Sequence, residues 1–199
     1  MKGTAGPMVF TVVNAPIPGQ VKTRLAKVIG EGPAAHIYQQ MVCDILSTLG
    51  SAGLPMTIVY HPENEVDTIR RFAGDDVPMF PQVGHELGER LENAFMNLFD
   101  SGHDPVIAIA SDIPELTSEL VMEAIDSLGA CDAVLGPCPD GGYYLIGLRR
   151  SSFVPEAFHG IPMGTERAFQ ATLEKLKGLD VLVLPEVHDI DTIDDLRDL

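Results

Sequence analysis

Short apolar runs alternate along the chain with longer stretches in which apolar residues recur every three or four positions. Such alternation marks β/α units wound around a mostly parallel sheet. Met8–Val13 reads as a buried first strand. Pro33 stands where the first turn of a helix tolerates it, and Tyr38, Met41, Val42, Ile45, Leu46 and Leu49 then repeat at helical spacing up to Gly50. Met56–Tyr60 reads as a strand, Asn64–Phe72 as a short helix, and Pro78–Pro81 as a short extended piece. Leu87, Leu91, Ala94, Phe95 and Leu98 line one face of a further helix, and Val106–Ala110 reads as a strand ending at Ser111-Asp112. Thr117 caps a helix running to Leu128. Ala133–Leu135 and Tyr143–Leu148 read as strands flanking the turn Asp140-Gly141-Gly142. Thr165 is placed to cap a helix with Phe169, Leu173 and Leu176 inward. Val181–Leu184 is the last strand, and Thr192 opens a terminal helix with Asp195 spaced for a capping-box contact.

No repeat, low-complexity tract or linker interrupts this pattern, so residues 1–199 read as one α/β domain. A hydrophobic content of 45% is enough for a sizeable core. The early apolar run is far shorter than the roughly 20 residues a membrane helix needs. It also lacks the flanks of a secretory signal, having only Lys2 before it. A cytoplasmic protein without a membrane span is therefore expected. Cys43, Cys131 and Cys138 form no CxxC pair and read as small buried residues of a reducing compartment.

A net charge of −16 argues against a nucleic-acid binder, which needs a basic footprint. Its distribution is more informative. No Asp or Glu precedes Glu31, whereas Lys2, Lys22, Arg24 and Lys27 all fall in that stretch. A buried strand excludes acids over Met8–Val13 but does not explain the cations beyond it, which suit a bound anion.

In open α/β sheets ligands bind beyond the carboxyl ends of the strands, so chemistry is sought in the segments that follow strands. The loop Asn14–Arg24 is stiffened by Pro16, Pro18 and Gly19, and Lys22 and Arg24 add a point charge and a planar fork suited to a di- or triphosphate. It has neither a P-loop nor a dinucleotide fingerprint, and an ordinary βα connection is the alternative. Gly30-Glu31-Gly32 reads as a helix-entry turn. Asp112, aimed by Pro114, can bind a metal, touch substrate or cap a turn. In Gly136–Tyr144 the paired Gly141 and Gly142 permit close approach to the backbone, and a hairpin turn at Asp140-Gly141 explains part of the same pattern. Asp189 and Asp191 precede a capped helix and can hold Mg²⁺ or Mn²⁺, although helix-dipole stabilisation also favours acids there. His85-Glu-Leu-Gly-Glu89 lacks the second histidine of a zinc-protease motif, and no serine sits in a nucleophile elbow.

Five of these segments occur in order: Pro18-Gly-Gln-Val-Lys-Thr-Arg-Leu25, Leu87-Gly-Glu-Arg90, Ser111-Asp-Ile-Pro114, Gly136–Gly147 and Asp189-Ile-Asp-Thr192. The series resembles a bacterial family of nucleotide-diphospho-sugar transferases with the GT-A fold, related in fold to cofactor guanylyl- and cytidylyltransferases. The resemblance implies a three-layer α/β/α domain with a mostly parallel central sheet. It implies a nucleotide lying over the first strand and its loop, contacted by Asn14, Pro16, Gly19, Lys22 and Arg24, with Arg90 assisting. Asp112, Asp189 and Asp191 would hold Mg²⁺ or Mn²⁺. Gly141, Gly142 and Tyr143 would shape the sugar or acceptor side, and Asp140 or Asp189 would serve as base.

Two departures keep two chemistries open. Sugar transferases of this fold usually carry Asp-x-Asp, whereas Asp112 is followed two residues on by Pro114. Nucleotidyltransferases use a Gly-rich first loop, whereas this one is Pro-rich. The leading expectation is metal-assisted glycosyl transfer from a nucleotide-activated sugar to a small-molecule acceptor. The alternatives are nucleotidyl transfer from a nucleoside triphosphate to a phosphorylated small acid or cofactor precursor, or nucleotide binding without turnover. The sequence leaves room for a homo-oligomer.

Overall fold

The computed structural model describes residues 5–197; Lys2, counted above among the early cations, lies outside them. Seven strands form one sheet: β1 (Gly6–Asn14), β2 (Met56–His61), β3 (Met79–Pro81), β4 (His103–Ile109), β5 (Ala133–Pro137), β6 (Tyr143–Leu148) and β7 (Val181–Val183). Their order is β3-β2-β1-β4-β6-β5-β7. Only β6 runs against its neighbours, antiparallel to both β4 and β5. The antiparallel step follows from the tight Asp140–Gly142 turn, which is too short for the crossover a parallel pair requires.

Helices cover both faces, giving the expected α/β/α layering. Alternation along each strand sends successive side chains to opposite faces. Val9, Val13, Ile107, Ile109 and Val134 pack toward α2 (Glu31–Ser51), α3 (Val66–Ala73) and α5 (Ser118–Ser127). Phe10, Val106, Ala108, Leu135 and Ile146 pack toward α4 (Leu87–Asp100) and α6 (Ala168–Lys175). The second layer centres on Phe95, whose ring meets Phe10 edge-on at 5.1 Å. It also lies 5.4 Å from Phe158.

Most elements form where the apolar pattern puts them, and the differences have local causes. The loop after β1 ends at Lys22, because Thr23 and Arg24 already belong to α1 (Thr23–Ile29). Asn64 lies in a 3-10 turn ahead of α3. Thr165 caps no α-helix: its hydroxyl donates to the Pro162 carbonyl, and α6 starts only at Ala168. Leu87 is 42% exposed at the first turn of α4, so it leaves the buried stripe formed by Leu91, Ala94, Phe95 and Leu98. The terminal cap is built as expected at the head of α7 (Ile193–Arg197). Asp195 accepts the Thr192 N–H at 2.6 Å while Thr192 Oγ1 accepts the Asp195 N–H at 3.4 Å.

Among the described residues, no helix is long and apolar enough to cross a membrane.

Candidate active site

The carboxyl ends of the parallel strands lie along one edge, and the chain closes that edge with the segment that follows β7. Leu184 N–H bonds to the Leu135 carbonyl, Val187 N–H to Pro137 and Ile190 N–H to Asp112. The segment therefore crosses from β5 toward β4. Ile190 is only 1% exposed. Its burial acts as an anchor, so Asp189 and Asp191 flank a fixed point on either side of the end of β4.

Lys22 is the hub. Its ammonium lies 2.6 Å from Asp112 Oδ2 and 2.7 Å from Asp191 Oδ1, with 5% of its side chain exposed. Arg24 reaches the other oxygen of Asp191 at 3.2 Å. Burial alone would lower the Lys22 pKa, but the two carboxylates outweigh it and hold the ammonium above its usual range. Lys22 is also the only described non-glycine residue with a left-handed backbone, at φ 46°. An L-residue adopts that conformation at a cost of roughly 1–2 kcal/mol, and such strain gathers at functional sites. The acid-free first segment thus has a concrete partner: Lys22 and Arg24 meet carboxylates delivered by β4 and by the post-β7 segment.

On one side of this hub lies a cavity of about 240 Å³, walled by Asn14, Gln20–Arg24, Tyr38 and Ser111. Tyr38, buried on α2, accepts the Asn14 N–H at 3.1 Å and shares a 3.0 Å hydrogen bond with Ser111. It thereby ties the end of β1 to the end of β4. Pro16 and Gly19 sit behind the wall. Ile17 N–H bonds to Ala15 and Gln20 N–H to Ile17, closing the turn that contains Gly19 at φ 79°.

On the other side lies a cavity of about 230 Å³. Its floor is apolar, with Val12, Leu91, Ala108 and Ile146; Leu87, Tyr143 and Met163 form its walls. Asp112, Asp140, Asp189 and Asp191 rim it. Asp140 Oδ1 accepts the Gly142 N–H at 2.7 Å, so the hairpin role foreseen for this turn is real and coexists with its place at the cavity. Gly141, at φ 85°, accepts the Phe169 N–H at its carbonyl, and a Cβ there would strike the Glu166 backbone. Only glycine lets the turn dock against the start of α6. Tyr143 donates to Met163 Sδ at 3.4 Å, and burial pushes its phenol up to about 12.

Burial, and then the carboxylates of Asp140, Asp112 and Asp191, push the Asp189 carboxyl up to about 6, against a smaller opposing effect of Lys22. The carboxylate oxygens of Asp112, Asp189 and Asp191 lie within 4.8 Å of one another. A hard oxygen set of this kind fits Mg²⁺ or Mn²⁺, and the Lys22 ammonium shows that two of the three already accommodate a cation. Cys138, Asp140 and Asp189 also cluster. There burial, and then Asp189 and Asp140, push the thiol far up, so without a metal the cysteine stays protonated.

Arg90 stands apart from this centre, further along the strand-end edge. Its guanidinium donates to the carbonyls of Gly84 and His85 and to Gln82 Oε1. Gln82 in turn donates to the carbonyls of Val13 and Val59. The sequence reading missed Gln82, Tyr38, Leu87 and Cys138 as parts of this edge. Tyr38 was legible only as a core position, because a phenol at helical spacing gives no sign that its hydroxyl bridges two strand ends.

A mostly parallel sheet with one antiparallel strand next to β4, and a cationic loop meeting carboxylates at its carboxyl edge, defines the GT-A nucleotide-diphospho-sugar transferase fold. The chain belongs to the family described as "Uncharacterized protein conserved in bacteria (DUF2064)", whose model matches residues 45–165. It is 40% identical to a protein of Desulfovibrio desulfuricans G20 provisionally named a nucleotide-diphospho-sugar transferase. That structure matches with a TM-score of 0.91 over 96% of this chain and 84% of the other. It is 27% identical over 191 residues to the 2-phospho-L-lactate guanylyltransferase of Methanocella arvoryzae, covering 96% of this chain and 75% of that one. A Mycobacterium tuberculosis H37Rv protein in complex with manganese shares the fold, with a TM-score of 0.58 at 16% identity over 99% of this chain and 98% of that one.

Proposed function

We propose that the protein is a metal-assisted transferase that takes a nucleotide-activated sugar and passes the sugar to a small-molecule acceptor. The observation that carries this reading is the Lys22 hub: one buried ammonium is held between Asp112 and Asp191, the two carboxylates that line both a cation-walled cavity and an apolar one. The cation-walled side suits the donor's diphosphate, and the apolar side suits the transferred sugar and its acceptor. Similarity to the D. desulfuricans protein supports sugar transfer.

In this reading Lys22 and Arg24 turn from carboxylates to phosphate oxygens as the nucleotide enters. They then neutralise the charge that develops on the departing diphosphate. Asn14 borders the same cavity, while Pro16 and Gly19 fix the loop that presents it. Arg90 would reach the phosphates only by releasing the Gly84 and His85 carbonyls it now holds. Asp112, Asp189 and Asp191 would hold Mg²⁺ or Mn²⁺, which when bound supplies further neutralisation of phosphate charge. Gly141, Gly142 and Tyr143 shape the receiving cavity, and Asp140 or Asp189 takes the acceptor's hydroxyl proton.

A second reading, nucleotidyl transfer from a nucleoside triphosphate, is favoured by the similarity to a guanylyltransferase along nearly the whole chain. The products separate the two: intact nucleoside diphosphate from sugar transfer, pyrophosphate from nucleotidyl transfer. Titration calorimetry with UDP-, GDP-, CDP- and ADP-sugars plus Mn²⁺ tests the first reading, and absence of heat with all four sinks it.

A further inference from the structure

The apolar cavity carries information about the acceptor that the fold does not. Its floor is made by Val12, Leu91, Ala108 and Ile146, and its rim by four carboxylates. No lysine, arginine or histidine lines it. Lys22, which touches two of those carboxylates, is already shared by Asp112 and Asp191. Even if Lys22, Arg24 and one divalent ion are all set against the four carboxylates, no net positive charge remains before the nucleotide's own phosphates arrive. A phosphate or carboxylate on the acceptor would bring further negative charge to a rim of four carboxylates that no cation of the lining offsets. Phosphate recognition ordinarily uses an arginine fork, a lysine or a helix N-terminus. The lining offers no arginine or lysine, and where α4 and α6 begin at it, at Leu87 and Ala168, the same lining carries four carboxylates. At about 230 Å³ the cavity is also smaller than the roughly 300–1,000 Å³ of sites for drug-sized ligands.

We infer that the acceptor, or the part of it that enters this cavity, is a small hydroxyl-bearing molecule with an apolar body and no anionic group. This rests on the reading above that the cation-walled side takes the nucleotide. It separates the chain from its guanylyltransferase relative, whose name specifies a phosphorylated acid.

Saturation-transfer NMR on the full chain, with three small probes, tests the inference. trans-1,2-Cyclohexanediol is neutral, choline is cationic, and 2-phospho-L-lactate is anionic. The diol and choline are expected to bind in the millimolar range usual for fragments of this size, and phospholactate at least tenfold more weakly. Leu87→Trp, at a 42% exposed position on the cavity wall, should weaken the diol at least fivefold without disturbing the fold. Asp140→Lys, on the exposed turn, should raise phospholactate affinity at least tenfold. Phospholactate binding the parent protein as well as the diol does, and lost in Leu87→Trp, would overturn the inference. So would failure of both the diol and choline to bind. Nucleotide calorimetry on the same samples keeps the two claims apart. Normal nucleotide binding with the wrong probe preference defeats the acceptor class alone, whereas absent nucleotide binding defeats the function it rests on.

Discussion

The two sides of the Lys22 hub are built from the same sheet edge and share Asp112 and Asp191, yet they have opposite characters. One wall is a short stiff loop and the first turn of α1, where Lys22 and Arg24 bring positive charge and no acid occurs. The other is a floor of strand side chains and Leu91 of α4, rimmed by carboxylates. Under the proposed function, charge would select on the side where the backbone is a loop, and the shape of the apolar floor would select on the other. Asp112 and Asp191 stand where the two meet, which is where a bond would have to be broken and made.

The comparison breaks most readily at Lys22. Lys22→Met should weaken binding of a nucleoside diphosphate in the presence of Mn²⁺ by roughly 10- to 150-fold, the loss expected for a charge-assisted contact. Binding of the neutral diol on the other side should change less than twofold, as calorimetry and NMR on one sample would show. An equal loss on both sides would mean that the cavities are not separate sites.

The cavity side should be the more sensitive to a backbone change. Gly141→Ala places a Cβ against the Glu166 backbone at a left-handed position, and about 2–3 kcal/mol of stability should be lost in urea unfolding. A loss below about 0.5 kcal/mol would show that the turn does not need its close docking on the start of α6.

A smaller effect sharpens the electrostatic contrast. The Asp189 carboxyl is raised to about 6 in the folded protein, from an ordinary value of 3.8, by burial and by Asp140, Asp112 and Asp191, with Lys22 opposing. Between these values the folded state binds the proton more tightly than the unfolded chain does. This residue's contribution to stability therefore falls as pH rises from about 4 to about 6. In metal-free buffer, Asp189→Asn should flatten that part of the pH–stability curve, and Mn²⁺ should no longer stabilise the variant as it does the parent. An unchanged slope would remove Asp189 from the acidic cluster.

The smallest change concerns the frame. Thr192→Ala should cost about 1 kcal/mol by removing half of the reciprocal cap with Asp195. Thermal unfolding would register it as a drop of a few degrees.

The layered fold could be read because its signals are local. Buried strands such as Met8–Val13 and the stripe Tyr38–Leu49 carry their period in the sequence, and the Thr192–Asp195 cap spans only three residues. Errors came where tertiary contacts override local preference. Thr165 looks like a cap but turns back to Pro162, and Leu87 looks like core but opens onto a cavity. Within the site, the residue types at strand ends were legible, as was the placement of cations away from acids. That Lys22 shares a site with Asp112 and Asp191 followed from the ordered motif series, but its direct ion pairs with them were not legible, since those partners lie 90 and 169 positions away. Nor did the spacing of Arg90 reveal that it clamps the turn at Gly84 and His85.

The most direct test is a crystal structure of the protein grown with GDP, UDP or CDP and Mn²⁺. Phosphate oxygens within hydrogen-bonding distance of Lys22 and Arg24, with manganese against Asp112 and Asp191 and the apolar cavity free of phosphate, are the expected result. A diphosphate seated in the apolar cavity, with Lys22 still locked between its two carboxylates, would contradict the division of the site.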